Sequence, residues 1–116
     1  VKRGDVVLVR IPHASGVRGK KRPAVVVQAD AYHSVVKTVV LAEITSNLAM
    51  ASDPACLVVD VSTPDGKATG LLKNSVVSAL VLATVYVDTL DQTLGELSPA
   101  LLVQLDGCIR AAFGLL

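Results

Sequence analysis

The apolar residues of this chain come in short runs dominated by valine, and that feature constrains its fold most. The longest run, residues 76–87, is interrupted by Ser78 and Thr84. It is too short and too rich in branched β-carbons for a membrane helix, which needs about 20 apolar residues. Hydrophobic residues make up 52% of the chain but aromatics only 3%, so the core has to be built from Val, Leu, Ile and Ala. Branched side chains suit a pleated, half-buried surface. A chain of this length reads as one domain over residues 1–116, burying about 65% of the surface its unfolded form exposes. So much apolar content on a small domain implies a further buried surface, most simply between two copies of the chain. No basic segment leading into an apolar stretch opens the sequence, so secretion is not expected and a cytoplasmic location is.

The runs and their punctuation predict strands at residues 6–11, 23–28, 37–44 and 55–61. Short strands follow around 70–72 and 75–78, then a longer one at 80–87. Residues 12–22 read as a loop with Gly16 and Gly19 in it, and residues 46–54 as irregular. Thr63-Pro64-Asp65-Gly66 reads as a turn, with Pro at its first corner and Gly at its exit. The last segment differs. Ser98 suits a helix cap, Pro99 the first helical position and Gly114 the stop. Between them Leu101, Leu102, Leu105, Cys108, Ile109 and Ala112 recur at helical spacing, with Gln104, Asp106 and Arg110 opposite. The fold class is therefore mainly β with helices: a strongly bent sheet or small barrel carrying a C-terminal amphipathic helix. Cys56 and Cys108 have no second cysteine or histidine nearby in sequence and read as buried, reduced thiols.

Charge is distributed unevenly. The formal net charge is only +1, yet seven of the 11 Lys and Arg residues fall within residues 1–22, against one acid, Asp5. Arg18, Lys20, Lys21 and Arg22 crowd together and run through Pro23 straight into the apolar Ala24-Val25-Val26-Val27. A cationic cluster of this kind attracts phosphate more strongly than the net charge suggests. The ten acids are scattered singly, with no spacing suited to a metal, and no phosphate-binding loop, dinucleotide fingerprint or nucleophile elbow is present.

The ordered set of motifs resembles the MazF/PemK toxins of bacterial toxin–antitoxin systems. Lys2-Arg3-Gly4-Asp5-Val6, a Gly-containing loop and Lys21-Arg22-Pro23-Ala24-Val25-Val26 are similar to that family's opening. Ala42-Glu43-Ile44-Thr45-Ser46 resembles the end of its third long strand. Gly70-Leu71-Leu72-Lys73-Asn74-Ser75-Val76-Val77 resembles its second functional region, and Gly95-Glu96-Leu97-Ser98 the approach to its last helix. The resemblance spans nearly the whole chain. It implies an SH3-like barrel of the CcdB/PemK type that dimerises. It also implies sequence-specific cleavage of single-stranded RNA, messenger RNA included, with no metal or other cofactor, and catalytic positions at Arg22 and Thr45.

The chemistry of those two residues fits the expectation. Attack by the substrate's own 2′-hydroxyl needs no protein nucleophile and leaves a 2′,3′-cyclic phosphate and a 5′-hydroxyl. It needs an aligned 2′-oxygen, a stabilised phosphorane and a proton for the leaving oxygen. A guanidinium presents five donors in a rigid fork matched to phosphate, and its pKa above about 12 makes it a stabiliser rather than a base. A threonine hydroxyl can donate to a non-bridging oxygen or hold the 2′-hydroxyl in line. Thr45 and Ser46 could equally end a strand and bond to local backbone. Arg18, Lys20, Lys21, Ser46, Lys73 and Asn74 are the RNA-binding candidates, and His13 is a candidate acid or base. Asn74 could read a base edge or occupy a turn; His13 could be a solvated loop residue. Relatives often carry Arg and Asp where this chain has Lys73 and Asn74, and an acid shortly before the arginine, where Arg18 stands.

Three readings follow. The first is a MazF-type endoribonuclease, inhibited by an antitoxin whose disordered acidic segment folds into the cationic groove. The second is a CcdB-like gyrase poison, suggested by Phe113-Gly114-Leu115. The third is a non-catalytic SH3-like module that binds nucleic acid or protein. With so few aromatics, recognition of RNA would rest on phosphate contacts and hydrogen bonds to splayed bases more than on stacking platforms.

Overall fold

The computed structural model describes residues 1–10 and 20–115. Arg18 and His13 lie outside the described residues. Six strands form one antiparallel sheet in the order β4-β5-β3-β2-β1-β6. They are β1 (Asp5–Arg10), β2 (Lys21–Val26), β3 (Thr38–Thr45), β4 (Cys56–Val59), β5 (Ser75–Tyr86) and β6 (Gln92–Glu96), with helices α1 (Pro64–Ala68) and α2 (Pro99–Phe113). Helix α2 is bounded as its sequence predicts. The Ser98 hydroxyl accepts from the Leu101 N–H at 3.3 Å, Pro99 opens the first turn, and Gly114 closes the helix at φ 66°.

The valine runs are continuous rather than alternating because the central strands bury both faces. Val6, Val25, Ala42, Ile44, Leu57 and Val77 pack with Leu101, Leu105 and Cys108 of α2 into the larger core. Val7, Val9, Ala24, Val26, Val39 and Leu41, one residue out of phase, form a second cluster closed by Val85 and Leu90. Strand periodicity assigns neighbouring residues to opposite faces, so a run such as Val6-Val7 serves both cores. The free Cys56 and Cys108 are buried, and burial pushes the Cys108 thiol up, with Cys56 and Asp53 adding to the shift.

Five expectations are corrected; in the first, Lys21 and Arg22, read as the end of a loop, open β2 and pair with β1. The two strands read at 75–78 and 80–87 are one strand, β5, kinked in its middle. Its register against β3 passes from Ser78 opposite Glu43 to Leu82 opposite Ala42, leaving residues 79–81 outside the ladder. The Ala79 N–H turns to Ala55 O at 2.9 Å and the Leu80 N–H to the Ser78 hydroxyl at 3.2 Å, so the bulge leaves neither donor idle. A bulge bends a strand, and here it lets the first half of β5 carry β4. Thr63–Gly66 is not a turn but the start of α1, because Thr63 caps Gly66 N–H at 3.0 Å and Pro64 occupies the first turn. The segment around 70–72 is a loop, not a strand. Strand β6, which pairs with β1, was not anticipated.

That loop is rigidly held. Gly70 has φ 74°, and a Cβ there would lie 2.1 Å from Leu94 O. The side chain of Thr69 is fully buried; its hydroxyl donates to Gly66 O at 2.6 Å and accepts from Leu71 N–H at 3.2 Å. Ser75 donates to Lys73 O at 2.8 Å. The N-terminus is tied down in the same manner: Arg3 bonds Val27 O through Nε at 3.1 Å and Asp106 of α2 at 2.7 Å.

Candidate RNA-binding cleft

Pro23 has no N–H to give a neighbouring strand, and the β2–β3 ladder ends beside it, at Ala24 opposite Glu43. Carried two residues further, the same register sets Arg22 opposite Thr45 at the strand ends. Both open into a cleft of about 580 Å³. Its lining comes from five strands and the 70–74 loop: Leu8, Pro23, Ile44 and Leu94 supply apolar surface, and Ser46, Lys73 and Ser75 join Arg22 and Thr45. Ile44, Leu71 and Leu94 also belong to or pack against the larger core, so one wall of the cleft is an open flank of the hydrophobic interior.

The electrostatics are one-sided. Among the described residues two cations and no carboxylate line the cleft. Neither the Arg22 nor the Lys73 side chain has an ion pair or hydrogen bond among the described residues. Arg22 is exposed, so its guanidinium fork is available to a ligand. The Thr45 hydroxyl accepts from the Asn47 backbone N–H at 3.1 Å. This bond orients its oxygen and leaves its proton free to donate. The local backbone bond considered from sequence is thus present and compatible with a second bond to a ligand.

The remaining candidates separate. Lys20 is exposed and does not line the cleft. Lys21 pairs with Asp91 at 3.2 Å. Asn74 Oδ1 accepts from Val61 N–H at 2.9 Å, a bond that anchors the chain after β4 to the start of β5. Ser75, quoted within the second functional region, also lines the cleft, and so does Leu72, which sequence reasoning gave no role. An exposed leucine has no sequence signature, because nothing in a sequence tells it from a buried one. Among the described residues no three His, Cys, Asp or Glu side chains gather as a metal would require, and no helix is long and apolar enough to cross a membrane. The tail that suggested a gyrase poison has Phe113 59% exposed at the end of α2, off the buried helix face, with Gly114 as the left-handed cap.

A family profile described as PemK-like, MazF-like toxin of type II toxin-antitoxin system matches residues 2–113. Endoribonuclease MazF6 of Mycobacterium tuberculosis is 30% identical over 99% of this chain and 98% of its own length. Endoribonuclease MazF2 of Mycobacterium bovis is similar to the same degree. A mycobacterial endoribonuclease solved with its cognate antitoxin superposes with a TM-score of 0.81 at 22% identity, covering 100% of this chain and 97% of that one. The MazE–MazF complex of Deinococcus radiodurans gives 0.75 at 19%, covering 100% and 98%. At such identities these two likenesses speak for the fold, while the sequence matches speak for descent. This chain belongs to the PemK-like, MazF-like toxins of type II toxin–antitoxin systems.

Proposed function

We propose that this chain is an endoribonuclease toxin that cleaves single-stranded RNA in the cleft shared by Arg22, Thr45 and Lys73. The observation that carries the reading is the convergence, from two strand ends and a pinned loop, of a guanidinium, a free hydroxyl proton and an ammonium in a cleft where, among the described residues, neither cation is paired and no carboxylate is present. A site of this kind favours a phosphodiester and stabilises charge that accumulates on its oxygens. In the proposed step the substrate's 2′-oxygen attacks the adjacent phosphorus, the 2′-hydroxyl proton passes to water and the bond to the 5′-oxygen breaks. Arg22 bridges the non-bridging oxygens as negative charge builds, and water or the Arg22 guanidinium returns a proton to the leaving oxygen. Thr45 donates to the same phosphate or holds the 2′-hydroxyl in line, and Lys73 contributes a point charge. Arg22 and Lys73 supply the charge stabilisation that a metal gives in other nucleases, so the reaction proceeds without one.

The same cationic cleft suits an acidic, disordered antitoxin segment, and the relatives solved with antitoxins support that partnership. Exposed Met50, Val58, Leu80 and Val81 near the β5 bulge supply apolar surface for a homodimer. We assign the protein to the cytoplasm, where RNA and antitoxin are found together. The test is cleavage of an unstructured RNA in excess chelator with analysis of the product ends. A cyclic phosphate upstream, a 5′-hydroxyl downstream and resistance of an RNA with deoxyribose at the cut are expected. A 5′-phosphate would show that water attacks instead.

A further inference from the structure

Leu72 is 94% exposed, the most exposed large apolar side chain described. It is not on a frayed end or a loose turn. It sits in the loop held by the Gly70 backbone against Leu94, by the buried Thr69 hydroxyl and by the Ser75–Lys73 bond. A leucine in a mobile segment could fold back onto nearby apolar surface. This one is kept in water by its backbone, although it belongs to the lining of a cleft with an open apolar wall. Its chain neighbour Lys73 is a cation in the same cleft with no side-chain partner among the described residues, so a ligand that satisfies both carries negative charge next to an apolar face. A nucleotide of single-stranded RNA has that combination. Among the described residues no Phe or Tyr lines the cleft, so a base face there meets either the Arg22 guanidinium, which the scissile phosphate engages, or an aliphatic side chain, and leucine is one of the side chains that part stacked bases elsewhere.

We propose that Leu72 is a wedge that packs against the base flanking the scissile phosphate and holds that nucleotide unstacked within the cleft. The proposal rests on the nuclease reading above and adds a specificity-determining contact to it. Burying one leucine side chain against a base predicts about a tenfold effect on binding. The wedge acts on how the strand is held, so it shows in RNA affinity and much less in the rate of the bound complex.

The experiment is a cycle between residue 72 and the base. Wild type, Leu72→Ala and Leu72→Phe are titrated with a short unstructured RNA and with the same RNA carrying an abasic ribose on either side of the cut mapped from the product ends. Single-turnover cleavage and sedimentation accompany each titration. Leu72→Ala should bind the intact RNA about tenfold more weakly, cleave it at nearly the wild-type rate when saturated, and lose little further on the abasic RNA. Wild type should lose a similar factor on one abasic RNA, and Leu72→Phe should recover binding to the intact one. Equal binding of all the RNAs by wild type and Leu72→Ala overturns the wedge, as does a change in oligomeric state with Leu72→Ala, which would make Leu72 a subunit contact. A wild type that binds RNA but never cleaves it removes the nuclease reading instead, so the two failures are distinct.

Discussion

The cations at the N-terminal end of the chain and those in the cleft look alike in sequence and differ in structure. Lys2 lies 2.8 Å from Glu96, Arg3 2.7 Å from Asp106 and Lys21 3.2 Å from Asp91. Arg22 and Lys73 have no such partner among the described residues. The paired group holds chain segments together: the N-terminus to β6 and α2, and the start of β2 to the residues before β6. The unpaired group faces a cavity. A basic stretch is therefore not one functional unit. Where a neighbouring carboxylate satisfies the charge, the residue ties chain segments together; under the proposed function, Arg22 and Lys73 keep their charge for RNA.

The largest expected effect breaks the unpaired side of that comparison. Arg22→Ala should lower single-turnover cleavage on the order of 10²-fold or more, since one preorganised donor to a charged transition state commonly carries that much. The fold should persist, because Arg22 is exposed and makes no ion pair with a described residue. Arg22→Lys should recover little, as an ammonium cannot bridge two oxygens. A circular dichroism melt beside the rate measurement separates the two effects. A near-wild-type rate for Arg22→Ala would refute the assigned site.

Thr45 comes next. Its proton is free while its oxygen is held by Asn47 N–H, so Thr45→Ala should lower the bound rate about tenfold or more with little change in RNA affinity. Thr45→Ser keeps the hydroxyl and should keep most of the activity. Loss of binding as steep as the loss of rate would make Thr45 a substrate anchor rather than a catalytic group.

Much of this was legible in the sequence, and the exceptions have physical causes. Ser98, Pro99 and Gly114 marked α2 because caps are local chemistry that survives any tertiary context. The valine runs marked β1 to β3 because those strands are buried on both faces. Strand β6 escaped because Gln92-Thr93-Leu94-Gly95-Glu96 has one strongly apolar residue; its Gly95 is there for close approach, since a Cβ would lie 2.3 Å from Ala68 O. Helix α1 was read as a turn because Pro64 and Gly66 serve both, and only the Thr63 cap tells them apart. Arg22 and Thr45 were singled out through resemblance, and the β2–β3 register carried to the strand ends sets them opposite one another. The pairing of Arg3 with Asp106 was invisible because 103 residues separate them.

The paired side of the comparison has its own test. Arg3 is 25% exposed and combines an ion pair with a bond to Val27 O. Arg3→Ala should cost about 1–2 kcal/mol of stability, read as a lower urea midpoint. RNA cleavage per folded molecule should stay within about twofold, since this charge is committed to α2 rather than to the cleft. A large loss of activity at unchanged stability would place Arg3 on the RNA path and erase the distinction between the two groups.

The smallest effect sharpens the boundary itself, at Lys20 and Lys21. Both were expected to contact phosphate, and the structure gives them different surroundings: Lys20 has no partner among the described residues, while Lys21 holds Asp91. Each phosphate contact to a single strand contributes about 0.7 to the slope of log affinity against log salt. Lys20→Ala should remove about that much. Lys21→Ala should remove less, because in the free protein its charge already has a counterion and RNA gains only what the exchange leaves. The Lys21–Asp91 pair is half exposed, and such pairs contribute only about 0–1 kcal/mol, so RNA can displace it. Asp91→Asn then becomes the decisive variant. Freed of its partner, Lys21 should bind phosphate more strongly, and the salt slope should steepen toward the value of a full additional contact. A slope unmoved by Asp91→Asn but reduced by Lys21→Ala would mean that Lys21 reaches RNA without leaving Asp91, and that pairing does not sort these cations as the rest of the molecule suggests.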